Sequence, residues 1–324
     1  MDKRNKILAG IFAVQIVIIL FVFLSGNGES PTLVELLPGM VKEEINRLEI
    51  ADDGNNAVVL QKDASGWFLA QADMSASEDK AARHIESTSA MRFPVDQQKA
   101  ETLVDKLAAL RSSRLVTRTR SSHERLQVAA DRFSRKITIA AKSGRENIYL
   151  GVAPNYKTIH VRKDDDTDVY LVQDLALWEA PADAVTWWPN HYVQFDTDAA
   201  TRFEVKNSHG VFSLEKDEAG NWRLAGKQTG LNEETLKEFL DRIKEISLVD
   251  FVTTDKQRDF GIPAGVLTID AKQHKTNLTI WPKDDKSGDY VVKASTSALY
   301  ARAGSYEIEH LLNRKQEDFV AAGK

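Results

Sequence analysis

Leu48-Glu49-Ile50 is answered by Phe203-Glu204-Val205, and Trp67-Phe68-Leu69 by Trp222-Arg223-Leu224, both at an offset of 155 residues. Segments that recur at constant spacing mark one structural unit written twice. A strand-like stretch precedes each tryptophan, Ala57-Val58-Val59-Leu60 in the first copy and Val211-Phe212-Ser213-Leu214 in the second. Gly66 and Gly220 stand one and two residues before the tryptophans, the place of a hairpin turn between two strands.

Downstream, each copy carries a capped amphipathic helix. Asp96 is a candidate N-cap ahead of Ala100, Leu103, Val104, Leu107 and Leu110; Asn232 stands ahead of Leu236, Phe239, Leu240, Ile243 and Ile246. Both runs have the i, i+3, i+4, i+7 spacing of one buried helical face. The offset here is 136, and Leu115-Val116-Thr117 and Phe251-Val252-Thr253 keep it as the start of a strand. Ile137-Thr138-Ile139 then matches Leu267-Thr268-Ile269, and Val169-Tyr170 matches Leu299-Tyr300, at 130. The fall from 155 to 136 leaves an insertion of 19 residues in the first copy, within Gln71 to Pro94, where Ser77-Glu78-Asp79 is able to start a short helix.

Each unit therefore reads strand, strand, helix, then three or four strands. That order predicts an α+β fold, a mostly antiparallel sheet with a covering helix. Breakers at Pro181 to Asn190 set the boundary, giving domains at 30–183 (insertion about 71–94) and 184–324.

Residues 1–29 are of another kind. Ile7 to Leu24 is a run of eighteen positions without a charge, spanning about 27 Å as a helix, close to the hydrocarbon thickness of a bilayer. Lys3, Arg4 and Lys6 precede it, and the first charges after it are Glu29 and Glu35. The basic side stays inside, which predicts a single-pass bacterial inner-membrane protein, N-terminus cytoplasmic and bulk periplasmic. A cleaved signal peptide is the competing reading. Its apolar region is usually shorter, and Ser25-Gly26-Asn27-Gly28 offers no good cleavage pattern, so a retained anchor is preferred.

Composition narrows the chemistry. With 42% hydrophobic and 28% charged residues the chain is globular. The net charge of −5 is too mild to argue for nucleic acid or another polyanion as the general partner, and no nucleic-acid partner is expected. The absence of cysteine removes disulfides, thiolate metal sites, thiol nucleophiles and lipoprotein acylation.

Taken together, the basic N-terminus, the anchor, Leu48-Glu49-Ile50, Gly66-Trp67, Tyr156 to Val161 and Asp168-Val169-Tyr170 form a pattern that recurs in the second copy. There it reads Gly220-Asn221-Trp222, Phe260-Gly261-Ile262, Tyr290-Val291-Val292-Lys293 and Leu299-Tyr300. This pattern resembles the bacterial family DUF4340. The resemblance implies tandem domains beside export-type ABC transporters and gliding-motility-like auxiliary proteins, with no catalytic residues to carry over.

Motifs that mimic chemistry are weak. Asp164-Asp165-Asp166-Thr167-Asp168 looks like a calcium loop, yet its sixth and twelfth positions hold Val169 and Leu175 where Gly and Glu are needed; a solvated hairpin turn is preferred. His123-Glu124 opens a zincin-like pattern, but Gln127 stands where the second ligand belongs. His84, His160, His191, His209, His274 and His310 show no ligand spacing. Ser213-Leu214-Glu215-Lys216 spells S-x-x-K in a strand instead of at a helix start.

Two features stand out as surfaces. Between Arg111 and Lys136 lie Arg111, Arg114, Arg118, Arg120, Arg125, Arg132, Arg135 and Lys136 against Glu124 and Asp131. That excess suits anionic lipid headgroups, although a solvated loop paired with acids from elsewhere is the preferred reading. Trp187-Trp188 in a Pro-containing linker suits either a wedge between domains, which is preferred, or an exposed aromatic anchor. The possible interaction or interdomain residues are thus Trp187, Trp188, Arg114, Arg118 and Arg120, with no catalytic, cofactor or metal site. The expectation is a non-catalytic accessory or scaffold protein of an ABC-type transporter or envelope-assembly complex, with protein partners and no cofactor. A glycan or cell-wall binding module is the alternative, and an envelope hydrolase a weaker one.

Overall fold

A computed structural model describes residues 10–20, 32–70, 92–227, 230–252, 260–271, 274–283 and 287–321. Helix α1 occupies residues 10–20, and the rest of the apolar run, residues 7–9 and 21–24, lies outside the described residues. So does 71–91 of the insertion, with its Ser77-Glu78-Asp79.

The first copy runs β1 (Val34–Glu35), β2 (Ile45–Ala51), β3 (Ala57–Asp63), β4 (Gly66–Ala70), β5 (Arg92–Pro94), α2 (Gln97–Ala108), β6 (Arg111–Ser112), β7 (Leu115–Thr117), α3 (His123–Leu126), β8 (Arg135–Ala141), β9 (Gly144–Leu150), β10 (Thr158–Lys163) and β11 (Val169–Gln173). The second runs β12 (His191–Gln194), β13 (Ala200–Asn207), β14 (Gly210–Lys216), β15 (Trp222–Leu224), α4 (Glu233–Ile243), β16 (Glu245–Ser247), β17 (Asp250–Val252), β18 (Gly265–Ala271), β19 (Lys275–Lys283), β20 (Tyr290–Ala294), β21 (Tyr300–Ala303) and α5 (Ser305–Leu312).

Strand order confirms the duplication. The first large sheet is β5-β4-β3-β2-β8-β9-β10-β11-β7, the second β15-β14-β13-β18-β19-β20-β21-β17. Without β5 the two orders correspond strand for strand, and even the small pairs β1-β6 and β12-β16 recur. The pairings are antiparallel. The class is α+β and sheet-rich. Before its helix the first copy has four strands of its large sheet and the second copy three, the extra one being β5; each has six strands after the helix, more than the three or four the sequence pattern suggested. By contacts the chain forms two compact units, residues 1–57 with 102–182 and residues 58–101 with 183–324.

Local chemistry places the elements. The Asp96 carboxylate accepts from the Lys99 amide at 3.0 Å, and the Asn232 side chain accepts from the Thr235 amide at 3.2 Å. Both N-caps use the same device, satisfying an otherwise orphaned helix donor. Ala100, Leu103, Val104 and Leu107 are buried to 1% exposure or less, as are Phe239 and Ile243, so the apolar stripes face the cores. Asp96→Ala and Asn232→Ala should each cost about 1 kcal/mol in urea denaturation. A loss below the error of the midpoint would mean that the caps do not hold these helices.

Hairpins use the expected turns. Gly66 closes β3-β4 at φ 114°, a backbone region that costs a side chain strain, and an added Cβ there would also meet the Gln97 side chain at 2.6 Å. The insertion returns as edge strand β5, held by the ion pair of Arg92 with Asp63 and by the Arg92 guanidinium 3.7 Å from the centroid of Phe68.

In the second unit, an aromatic core joins α4 to the sheet. Phe239 meets Phe203 edge-on at 6.0 Å and Phe319 at 5.5 Å, and Phe319 meets Phe212 at 5.3 Å. Phe319 belongs to a 3-10 turn, Gln316–Phe319, and is fully buried. Backbone bonds from Asn232 to the Phe319 carbonyl (3.0 Å) and from Ala321 to the Gly230 carbonyl (2.8 Å) tie that segment in.

Candidate functional site

Trp187 and Trp188 lie in the second unit. Trp187 ends a 3-10 turn, Ala184–Trp187, whose cap Asp183 accepts from the Val185 amide. It is fully buried. Its carbonyl accepts from the Asp96 amide at 2.8 Å, and Lys99 reaches the Thr186 carbonyl at 2.6 Å with its ammonium 5.0 Å from the Trp187 ring. Burial lowers the Lys99 pKa, partly opposed by Asp96. Trp188 packs edge-on against Phe251 at 5.3 Å, where Phe93 (5.7 Å) and Tyr192 (6.4 Å) also converge. Trp187 therefore offers no exposed face to a ligand. The exposed tryptophan is Trp178, at 74%, although nothing in Leu177-Trp178-Glu179 separates it in sequence from a core position.

The arginine-rich segment runs along the terminal strand of the first sheet, in the first unit. Arg111 stands in β6; the Arg114 carbonyl accepts from the Leu171 amide of β11; Thr117 pairs with Val169; and His123 contacts the Thr167 carbonyl at 2.9 Å. Arg111, Arg114, Arg118, Arg120, Arg125 and Arg132 are all exposed. Among the described residues, only Arg118 of the group has an acid within 4.0 Å, Asp168 at 3.5 Å. Arg135 instead donates to the Ala180 and Ser134 carbonyls.

The acidic turn that resembled a calcium loop is occupied by a guanidinium. Arg162 is 4% exposed, and its Nη1 donates to the carbonyls of Lys163 (3.0 Å), Asp164 (2.6 Å) and Asp166 (3.1 Å), while Nε donates to Val128 (2.6 Å). Carbonyl oxygens that a calcium loop would turn toward a cation are committed to Arg162. The guanidinium stacks on Tyr149 at 4.5 Å. Burial first, then the hydrogen bond to Asp164, pushes the Tyr149 phenol up to about 12, with Arg162 opposing. Leu126, Val128 and Phe133 cover this face of the sheet against Tyr149 and Val169.

The S-x-x-K lookalike separates in space. Residues three apart in a strand point to opposite faces. Ser213 accepts from Arg202 at 3.0 Å, while Lys216 donates to the Asp198 carbonyl at 2.7 Å. Among the described residues no cluster of three His, Asp or Glu side chains is placed to hold a metal; His84 lies outside them.

A charged cleft between α4 and α5 is lined by Glu238, Tyr306, Glu309, His310, Arg314 and Asp318. Arg314 donates to Glu238 and to His310 Nε2, both at 2.6 Å, and Arg242 donates to the Tyr306 hydroxyl. Burial, then the charge of Arg314, lowers the His310 pKa, with Glu238 opposing and Arg242 adding to the fall. A histidine with a depressed folded pKa adds full stability above its unfolded pKa, about 6.5. That contribution is lost as pH falls below it, because the unfolded chain takes the proton first. His310→Gln should therefore narrow the drop in urea midpoint between neutral and mildly acidic buffer. An unchanged drop would show that His310 carries none of it.

A family model described as Domain of unknown function (DUF4340) matches residues 86–264, which is 179 of the 324 residues. The chain belongs to the DUF4340 family. The match starts within the insertion of the first copy and ends just before β18 of the second. The DUF4340 region thus takes in α2, β6 to β11 and β12 to β17. The strands outside it, β2 to β4 of the first copy and β18 to β21 of the second, complete the two large sheets. No curated protein and no solved structure matches the chain.

Proposed function

We propose that this DUF4340 protein is a membrane-anchored, extracytoplasmic accessory or scaffold subunit. The complex is of the ABC-transporter or envelope-assembly type. The observation that carries attachment is α1. Its Ile11, Phe12, Val14, Ile16, Val17, Ile18, Ile19 and Leu20 are 41–65% exposed, an apolar surface that none of the described residues covers. A helix of that kind belongs in an apolar medium. No helix of the described residues is itself long and apolar enough to cross a membrane; the span in this reading rests on the uncharged sequence run Ile7 to Leu24. The scaffold role is supported by duplication, since two copies of one sheet architecture provide two related surfaces on one tether.

Purification of the tagged full-length protein from its native membranes in mild detergent tests both parts. Resistance to alkaline extraction, with stoichiometric recovery of permease and ATPase subunits, is the expected result. Recovery of the protein alone would remove the stable-complex reading, and release by alkali would remove the anchor.

A further inference from the structure

We propose that the arginine-rich edge of the first sheet is a contact surface for anionic phospholipid headgroups, so that this unit lies against the membrane that anchors it. The inference rests on the anchor reading above and deepens it.

Three observations carry it. First, the arginines are gathered on one edge. Arg111, Arg114, Arg118 and Arg120 follow β6 and β7 past β11, and β7 is the terminal strand of its sheet. Val116, at its centre, is 39% exposed.

Second, charged residues on an edge strand commonly serve to block unwanted pairing, and the duplication supplies a control for that role. The corresponding stretch of the second copy, Ser247 to Val266, flanks the equivalent terminal strand β17 and carries Lys256 and Arg258 against Asp250, Asp255 and Asp259. Along the edge itself, Arg111 to Arg120 carry an excess of four positive charges, whereas the matching Ser247 to Lys256 carry an excess of one negative charge; Arg135 and Lys136 of the first copy belong to β8, away from the edge. A requirement of the fold would act on both copies alike, so the excess answers to something only the first copy meets.

Third, the first copy is the one on the tether. β1 pairs with β6, with Glu35 opposite Arg111 and Val34 opposite Ser112. Leu33 is nine residues from Leu24, the end of the apolar run, a contour of at most about 31 Å. Among the described residues the acids near the edge are Asp168, which faces an Arg118 that remains 74% exposed, Asp105 and Asp174 in the cleft beside Arg111, and Glu35, Glu124 and Asp131 along the segment itself. Each arginine near a charged bilayer shifts the docked equilibrium about fivefold.

The test uses the full chain. It lacks cysteine, so Val116→Cys provides a single labelling site for a fluorophore, and Glu218→Cys in the second copy provides a reference. Both are reconstituted into vesicles of phosphatidylcholine, with or without phosphatidylglycerol, containing a headgroup quencher. Quenching at Val116→Cys is expected to rise several-fold with phosphatidylglycerol and to fall back in high salt. It should also vanish when Arg111, Arg114, Arg118 and Arg120 are changed together to glutamine, and persist when they are changed to lysine. The reference label should not respond to phosphatidylglycerol. Quenching at Val116→Cys that ignores phosphatidylglycerol, or a glutamine variant that behaves as the parent, overturns the proposal. Flotation separates the two readings. A chain that floats with phosphatidylcholine alone retains its anchor whatever the edge does. A chain that floats only with phosphatidylglycerol, in an arginine-dependent way, supports the edge and removes the anchor.

Discussion

Phe319→Ala will destabilise the second unit by about 3–5 kcal/mol, the range for emptying a fully buried phenylalanine site. The ring has no solvent exposure, and it closes a chain of aromatic contacts through Phe212 and Phe239 to Phe203. Its removal opens a cavity at the junction of β14, α4 and the Gln316–Phe319 turn, where three elements would have to move together to refill it. In a unit of this size each kcal/mol lowers the midpoint by about 2–4 °C, so a drop of roughly 6–20 °C is expected in calorimetry. Tyr156→Ala is the matched control. That ring is 83% exposed, and its loss should stay within about 0.5 kcal/mol. A Phe319 variant that melts with the parent would show that the segment after α5 is not part of the core.

The second large effect is at Arg162. Replacement by methionine keeps the apolar stem over Tyr149 but strands four carbonyl oxygens, and bonds to a charged donor are worth about 1.5–3 kcal/mol each, without adding fully. A loss of about 3–4 kcal/mol is expected. Arg162→Lys should lose nearly as much, because one ammonium cannot span Val128 and the 164–166 turn as the planar fork does. If lysine restored parental stability, the charge would matter and the fork would not. Neither variant should acquire calcium affinity. Calcium-dependent stabilisation of the methionine variant would revive the metal reading that Arg162 displaces.

Arg162 also shows why part of this chain was hidden in its sequence. Thr158-Ile159-His160-Val161-Arg162 alternates polar with apolar, the signature of a strand with one wet face. All five residues are buried, because the segment around Leu126, Val128 and Phe133 covers the face that alternation assigns to water. Alternation reports which side chains are polar, and a buried Arg162 or His160 held by carbonyl oxygens leaves no trace in it. The helices were legible for the opposite reason. Leu103, Val104 and Leu107, like Phe239 and Ile243, have only one way to leave water, and their spacing records it. The strands β6, β7 and β16 are two or three residues long, too short for any period to show. For the arginine-rich edge, sequence supplied the charge excess, but only the structure shows that most of those guanidinium groups have no acid of the described residues within 4.0 Å.

The matching strand orders bear on how the chain reaches its native state. In each copy β8 to β11, or β18 to β21, zips through neighbouring hairpins, whereas the seam between the two strand groups joins distant residues. Leu48 pairs with Ile139, 91 positions on, and Phe203 with Ile269, 66 positions on. Seams of such high sequence separation are slow to form. Because the copies correspond, β2 seeking β8 also meets β18, and β13 seeking β18 also meets β8. Refolding from denaturant should therefore divide between a productive fraction and a kinetically trapped fraction with crossed seams. Emergence of the first copy ahead of the second, during synthesis, is the order that lets its seam close before a competitor exists.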